Sequence, residues 1–377
     1  MKSNYDILGN YIRLIDVRNS DLVTNQVLGI SIDKLFMPSV ANIIGTDLSK
    51  YKLVTKGKFA CNPMHVGRDE RLPVALYEND TPAIVSPAYF VFEIIDTTVL
   101  DENFLMMWFR RPEFDRICWL HTDGSVRGGI AWEDICRLEI PVLNIEKQKS
   151  IVRAYKSIND RIELKKKIND NLEAQLRTYF KEFLFQNNQN VVGKLKDYCT
   201  MQYGYTETAT NEPVGSKFLR ITDIAQKFID WERVPYCPIT DENHKKYVLS
   251  EGDILVARTG ATVGVAKMLG KHIPDSVFAS FLVRIKSINK KYKYFFGIAI
   301  TSPEFLEFVQ TNAGGSAQPQ ANPPLLGAYE ITIPNEQGMT EFNNKIEKFL
   351  DVIECNEIEI SKLYKAKELM IEMLSSC

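Results

Sequence analysis

Two stretches of the chain carry apolar residues at alternating spacings of three and four. The first runs Ile151, Tyr155, Ile158, Ile162, then Leu172, Leu176, Tyr179 and Phe183; the second runs Ile346, Phe349, Ile353, Ile360, Leu363, Met370 and Leu374. That period predicts long amphipathic helices with a narrow seam, built to pack along another helix. Each seam is broken by polar residues, Lys165 and Asn169 in the first, Asn356 and Lys367 in the second. Buried Asn and Lys at seam positions fix register and partner choice at a cost in stability. Residues 151–190 hold 8 basic against 5 acidic side chains, and 336–377 hold 5 against 9. Opposite charge favours pairing of the two helices with each other, which predicts an intramolecular antiparallel coiled coil. The competing reading is two unrelated helices, each packed in its own domain.

Outside the seams the pattern changes to short strand-like runs punctuated by Gly, Pro, Asn and Asp. Lys52-Leu53-Val54 and Phe90-Val91-Phe92 are examples, as are Asp253-Ile254-Leu255-Val256 and Phe281-Leu282-Val283-Arg284. These stretches repeat. Arg111-Pro112-Glu113-Phe114 recurs as Ser302-Pro303-Glu304-Phe305, and the same shift of about 191 carries Gly124-Ser125 onto Gly315-Ser316 and Phe104 onto Phe295. Ile140-Pro141 answers Ile333-Pro334, and Ile12-Arg13-Leu14-Ile15-Asp16 echoes Leu219-Arg220-Ile221-Thr222-Asp223 at a larger shift. The polar run Gln186-Asn187-Asn188-Gln189-Asn190 marks a joint. The expected architecture is α+β: similar globular domains at 1–150 and 187–338, each followed by a long helix, at 151–186 and 339–377. Paired helices of about 33 residues would hold the domains roughly 50 Å apart, or about 15 base pairs of duplex.

Composition narrows the class. The 377 residues are 45% apolar and 11% aromatic, enough for burial to offset chain entropy, so disorder is excluded as the main state. No stretch approaches the ~18 uncharged apolar residues of a spanning helix, and the first residues lack a signal-peptide core, so a cytoplasmic protein without membrane partners is expected. Seven scattered cysteines without a Cys-x-x-Cys pair argue against a disulfide framework or a structural zinc site. The four histidines show no His-x-x-x-His spacing, and no metal is expected. A net charge of -2 argues against a free-standing nucleic-acid binder.

The order domain, helix, domain, helix resembles that of a specificity subunit of a type I restriction-modification system. The resemblance is carried by Gly252-Asp253-Ile254-Leu255-Val256-Ala257-Arg258-Thr259-Gly260, by Gly315-Ser316-Ala317-Gln318-Pro319, and by the Ile-Pro motifs leading into each helix. Asn62-Pro63-Met64-His65-Val66 and Ile84-Val85-Ser86-Pro87-Ala88-Tyr89 are similar to stretches in that family's target-recognition domains. The first domain departs in having Gly124-Ser125-Val126-Arg127-Gly128-Gly129, with Arg127 where the second has Gln318. The resemblance implies a non-catalytic subunit that reads a split site in double-stranded DNA. It also implies docking of two adenine-methylating subunits, with a helicase-nuclease subunit added in the full restriction complex. S-adenosylmethionine is then a cofactor of the partners and not of this chain.

Candidate DNA contacts follow from residue chemistry. Arg127 and Gln318 occupy aligned loop positions, and Arg suits guanine while Gln suits adenine in the major groove. His65, Arg68 and Arg71 offer an imidazole and two guanidiniums around Gly67; a solvated charged turn is the ordinary alternative. Arg258 and Thr259, before Gly260 and Gly264, suit backbone or base contacts, against a plain tight turn. Tyr205 and Lys217 open the second domain. Seam or partner-docking residues are Ile151, Tyr155, Ile158, Ile162, Leu172, Leu176, Ile353, Ile360, Leu363 and Met370. Asn322-Pro323-Pro324-Leu325 is similar to the Asn-Pro-Pro-aromatic motif of amino-methyltransferases, in which Asn binds the target amine of a flipped base. Leu replaces the aromatic, and no Gly-rich strand-to-helix loop lies upstream, so the stretch reads as structural. A stand-alone adenine methyltransferase using Asn322 and a protein-only coiled-coil scaffold remain the alternatives. Phe104, Trp108, Phe109 and Phe114 stand at helical spacing and read as core.

Overall fold

The computed structural model describes residues 5–40, 45–64, 66–122, 128–187, 190–314 and 320–374. The chain divides into two compact units, Met1–Asp160 with Tyr364–Cys377, and Arg161–Leu363.

The first unit is built on an antiparallel sheet in the spatial order Ile12–Leu14, Phe90–Ile94, Phe59–Cys61, Val74–Leu76. Phe59, Ala60 and Cys61 are all buried, as an apolar run without alternation predicts for a strand covered on both faces. Three helices follow the sheet: Glu102–Phe109, Pro112–Leu120 and Trp132–Cys136. Asp101 caps the first by accepting from the Phe104 amide, and Pro112 opens the second with its fixed φ. Phe104, Trp108, Phe109 and Phe114 are buried together with Phe59 and Phe92. Tyr5–Ile7 pairs antiparallel with Glu139–Pro141 and closes the unit.

The second unit repeats this plan. Its sheet runs Cys199–Tyr203, Leu282–Ser287, Ile254–Ala257, Ala266–Met268 in the same antiparallel order. Helices Lys293–Ile300, Pro303–Asn312 and Pro323–Gly327 each start 191 residues after their counterparts in the first unit. Val191–Lys194 with Glu330–Ile333 is the closing pair. A second, mixed sheet of Tyr236–Cys237, Ser216–Leu219 and Ser276–Phe278 is added here. One expected echo is overturned. Ile12–Leu14 corresponds to Cys199–Tyr203, whereas Leu219-Arg220-Ile221-Thr222-Asp223 is the end of one strand and the start of the helix Ile221–Ile224. There Arg220 and Asp223 form an i,i+3 ion pair at 3.0 Å. Alternating apolar and charged residues suit both a strand and such a junction, so the pattern alone does not separate them.

The central helix spans Ile145–Gln186 and the terminal one Met339–Met373. The central helix begins before the apolar seam because Asn144 supplies a cap, its Oδ1 accepting from the Glu146 amide at 2.9 Å. Burial recurs at every seventh residue, at Tyr155, Ile162, Asn169 and Leu176, and at Met339, Ile346, Ile353 and Ile360. A strict seven-residue repeat is the signature of left-handed supercoiled pairing. In the second unit Lys165 meets Asn356 and Asn169 meets Ile353, while Arg161 pairs with Glu359. Partner numbers fall as the first numbers rise, so the pairing is antiparallel. In the first unit Lys367 lies over the Tyr155 ring, 5.1 Å from its centroid, and Ile151, Met370 and Leu374 pack on that unit's core. Ile158, Leu172 and Leu363 are half-buried along the same seams. The far end of the central helix merges with the second core, where Leu176, Phe180 and Phe183 meet Phe342 and Phe295.

Candidate nucleic-acid interface

In each unit a middle strand of the sheet ends in a loop that touches the described residues next along the chain from the Gly-Ser sequence, Gly128 and Ile130 in the first unit and Gln320 and Ala321 in the second. In the second unit the Arg258 carbonyl accepts from the Ala321 amide at 2.8 Å, and Thr259 bridges to Gln320. In the first unit the Pro63 carbonyl accepts from Ile130 at 3.1 Å, and the Gly67 amide donates to Gly128 at 3.0 Å. Arg258 and Thr259 are therefore brought beside Gln320 and Ala321, and Gly67, next to Arg68, beside Gly128. Gln318, Arg127 and His65 themselves lie outside the described residues.

Arg258 is half-buried and engaged internally. Its amide donates to the Phe281 carbonyl at 3.0 Å, its Nη1 to the Ser280 carbonyl at 3.3 Å, and its guanidinium lies 4.7 Å from the centroid of the Tyr203 ring. Gly260 follows at φ +76° with open space around its α-carbon, a conformation that disfavours side chains. Tyr205 adjoins the same turn: its amide donates to the Phe278 carbonyl, and its ring packs on Tyr247 at 5.4 Å. Lys217 belongs to the added sheet. Its ammonium donates to the Val234 carbonyl at 2.7 Å and sits over the Tyr236 ring, lining a cleft of about 470 Å³ with Trp231 and Arg233.

Two exposed aromatics at this end of the second sheet escaped the sequence reading, Tyr203 at 41% and Phe281 at 57% exposure. Phe281 sits in the turn before a buried strand, and its position among apolar neighbours concealed it.

In the first unit Arg68 pairs with Asp69 at 2.6 Å and Arg71 with Asp33 at 3.4 Å, and both guanidiniums are exposed. The far end of their loop is pinned. Asp115 accepts from the Leu72 amide at 3.0 Å and from Lys34 at 2.6 Å, and Lys34 also donates to the Leu72 carbonyl. Lys34 is buried in left-handed backbone, φ 63°, at the tip of the hairpin Leu28–Ile30/Phe36–Pro38. Burial pulls its pKa down against the opposing pull of Asp115.

Asn322 caps the helix Pro323–Gly327, its Oδ1 accepting from the Leu325 amide at 2.9 Å. The cap and the prolines of the first turn account for the Asn-Pro-Pro run as helix-start chemistry. Burial pushes the Cys61 thiol up, and Cys118 up to about 12, so neither is a nucleophile at neutral pH. Among the described residues no three His, Cys, Asp or Glu side chains gather to hold a metal, and no helix is long and apolar enough to cross a membrane.

Residues 187–369 match the family described as Type I restriction modification DNA specificity domain. The S subunit of a type I restriction-modification system from M. genitalium is similar in structure, at a TM-score of 0.59 and 14% identity, over 98% of this chain and 95% of that one. The HsdS subunit from Thermoanaerobacter tengcongensis aligns over 98% of this chain and 95% of its own at 12% identity and a TM-score of 0.39. No curated protein matches the chain.

Proposed function

We propose, from the match of residues 187–369 to the type I restriction-modification DNA specificity domain family, that this chain is the sequence-recognition subunit of such a system, reading a bipartite site in double-stranded DNA. The observation that carries the reading is the repeat. The unit holding most of the matched region and the other unit share one sheet order, one helix set and one contact between the central-strand loop and the post-Gly-Ser segment. Two such domains in one chain suit two half-sites.

Arg68, Arg71 and Arg127 of the first domain, with His65, are the candidate readers of one half-site. Arg258, Thr259, Tyr205, Lys217 and Gln318 are the candidates for the other. Two adenine-methylating subunits would dock on this chain, and a helicase-nuclease subunit would join in the restriction complex. S-adenosylmethionine would be bound by the methylating partners, and this chain would catalyse nothing itself. Basic surface on those partners would supply much of the phosphate attraction that a chain of net charge -2 lacks.

The test is methylation-sensitive sequencing of the host genome with and without the gene, and with residues 191–335 replaced by the corresponding domain of a relative. The expected result is a split methylated motif that vanishes with the gene and changes in one half only on replacement. A motif unaffected by loss of the gene would refute the reading.

A further inference from the structure

The repeat allows the two units to be compared position by position at the sheet end that carries the candidate contacts. Leu8 and Leu195 each donate to the carbonyl just before the closing strand, at Leu138 and Tyr329. From there the strand registers match: Phe92 lies opposite Leu14 and Phe59, as Ile285 lies opposite Met201 and Ile254. The same registers place Arg258 with Pro63, Phe281 with Ala88, and Tyr203 with Asp16. The backbone contact of this place is common to both units, Pro63 to Ile130 and Arg258 to Ala321. The three side chains are not. A shared frame carrying different side chains at one sheet end, with Tyr203 and Phe281 exposed in the second unit and Asp16 and Ala88 in the first, is what two readers of different sequences require.

In the second unit these side chains form a braced turn. Arg258 holds the carbonyls of Ser280 and Phe281 from its Nη1 and its amide, and Tyr203 supports the guanidinium from below. Phe281 remains 57% exposed, directly before Leu282 and Val283, which are fully buried. An aromatic ring held outward by a fixed turn has no hydrogen-bonding group. The feature of a major-groove edge that such a ring recognises is the thymine methyl.

We propose that Phe281 is a specificity-determining residue that packs on a thymine methyl in the half-site read by the second domain, and that Arg258 and Tyr203 are positioning residues for it. The proposal rests on the DNA-recognition reading above.

The experiment uses the full chain in complex with its methylating subunits and a randomised duplex library to select a preferred site, followed by replacement of each thymine with deoxyuridine, which removes only the methyl. Wild type is expected to select at least one thymine in the half-site of residues 191–335 and to bind its deoxyuridine form about fourfold more weakly, the worth of one buried methyl. Phe281→Ala is expected to bind both forms equally while keeping the preference at the other half-site, which reports an intact fold. Phe281→Leu, smaller but apolar, is expected to keep part of the discrimination. A Phe281→Ala variant that still discriminates fourfold, or a selected half-site without thymine, overturns the inference and leaves the DNA-recognition reading standing. A wild-type complex that selects no sequence overturns both.

Discussion

The Nδ2 of Asn356 donates to the Oδ1 of Asn169 at 2.7 Å, and both side chains are buried where the central and terminal helices pair. Asn169 in turn donates to the Ile353 carbonyl at 3.2 Å, and Lys165 donates to the Oδ1 of Asn356 at 2.8 Å and reaches Glu359 at 2.7 Å. Every donor in this layer has a named acceptor, so the polar breaks in two otherwise apolar seams satisfy one another. A shift of one helix along the other by a heptad would set Asn169 against Phe349 or Leu363 in place of Asn356.

Replacing Asn169 with Leu should lower stability by about 1 to 3 kcal/mol, because the Asn356 amide loses its acceptor in a buried place. Asn356→Leu should be at least as costly, since Lys165 loses a partner as well. The double variant should recover part of the loss, giving a coupling of about 1 kcal/mol or more in a double-mutant cycle. Denaturant unfolding of the four proteins measures it. Additive losses would mean that the two amides do not act as a pair.

The first unit contains a latch of a different kind. Lys34 and Asp115 are paired at 2.6 Å, with side chains only 5% and 11% exposed. Removing Asp115 strands a buried ammonium, so Asp115→Ala should lower stability by about 3 to 5 kcal/mol. Lys34→Met with Asp115→Leu should be much milder, since neither charge is then buried alone. Hydrogen exchange should show the hairpin of residues 28–38 and the Leu72 amide losing protection in the single variant first. Uniform loss of protection across the first unit would refute a local latch.

How far these arrangements could be read from the chain depends on how local their cause is. The seams were legible because a seven-residue repeat leaves the same mark whatever the partner, and Lys165, Asn169, Asn356 and Lys367 stood out against it. The repeat was legible at an offset of 191 because the helices after each sheet keep equal spacing between their starts. The strands before them were not, since insertions shift the offset from 187 at Ile12 and Cys199 to 195 at Phe59 and Ile254. Phe281 was hidden because its exposure is decided by which turn meets which strand end. Arg258 read as a DNA contact or a plain tight turn, and only the fold shows that its guanidinium is held by the Ser280 carbonyl and the Tyr203 ring while its amide donates to the Phe281 carbonyl.

The Asn-Pro-Pro-Leu run offers a clean separation of structure from chemistry. If Asn322 is a helix cap, Asn322→Ala should lower stability by about 1 kcal/mol, and Asn322→Asp, an equally good cap, should not. Neither should change methyl transfer to DNA by the assembled complex beyond about twofold, measured with labelled S-adenosylmethionine on equal amounts of folded protein. Loss of methyl transfer in a stably folded Asn322→Asp variant would make Asn322 a base-binding residue after all.

Glu357 on the terminal helix predicts a pH dependence. Burial raises its pKa to about 7, with Glu173 and Glu354 adding to the rise and Lys267 and Lys227 opposing it. Unfolded, the carboxyl loses its proton near pH 4.5; folded, it holds the proton until about pH 7. Between those values the folded chain binds more protons than the unfolded one, so this group's contribution falls as pH rises through the window and is constant above it. Glu357→Gln removes the penalty of ionising a buried carboxyl. The variant should match wild type near pH 4 and exceed its stability by roughly 3 kcal/mol at pH 8. Thermal unfolding at the two pH values decides it, and a variant less stable than wild type at pH 8 would show that the attraction of Lys267 outweighs the desolvation of the half-buried Glu357.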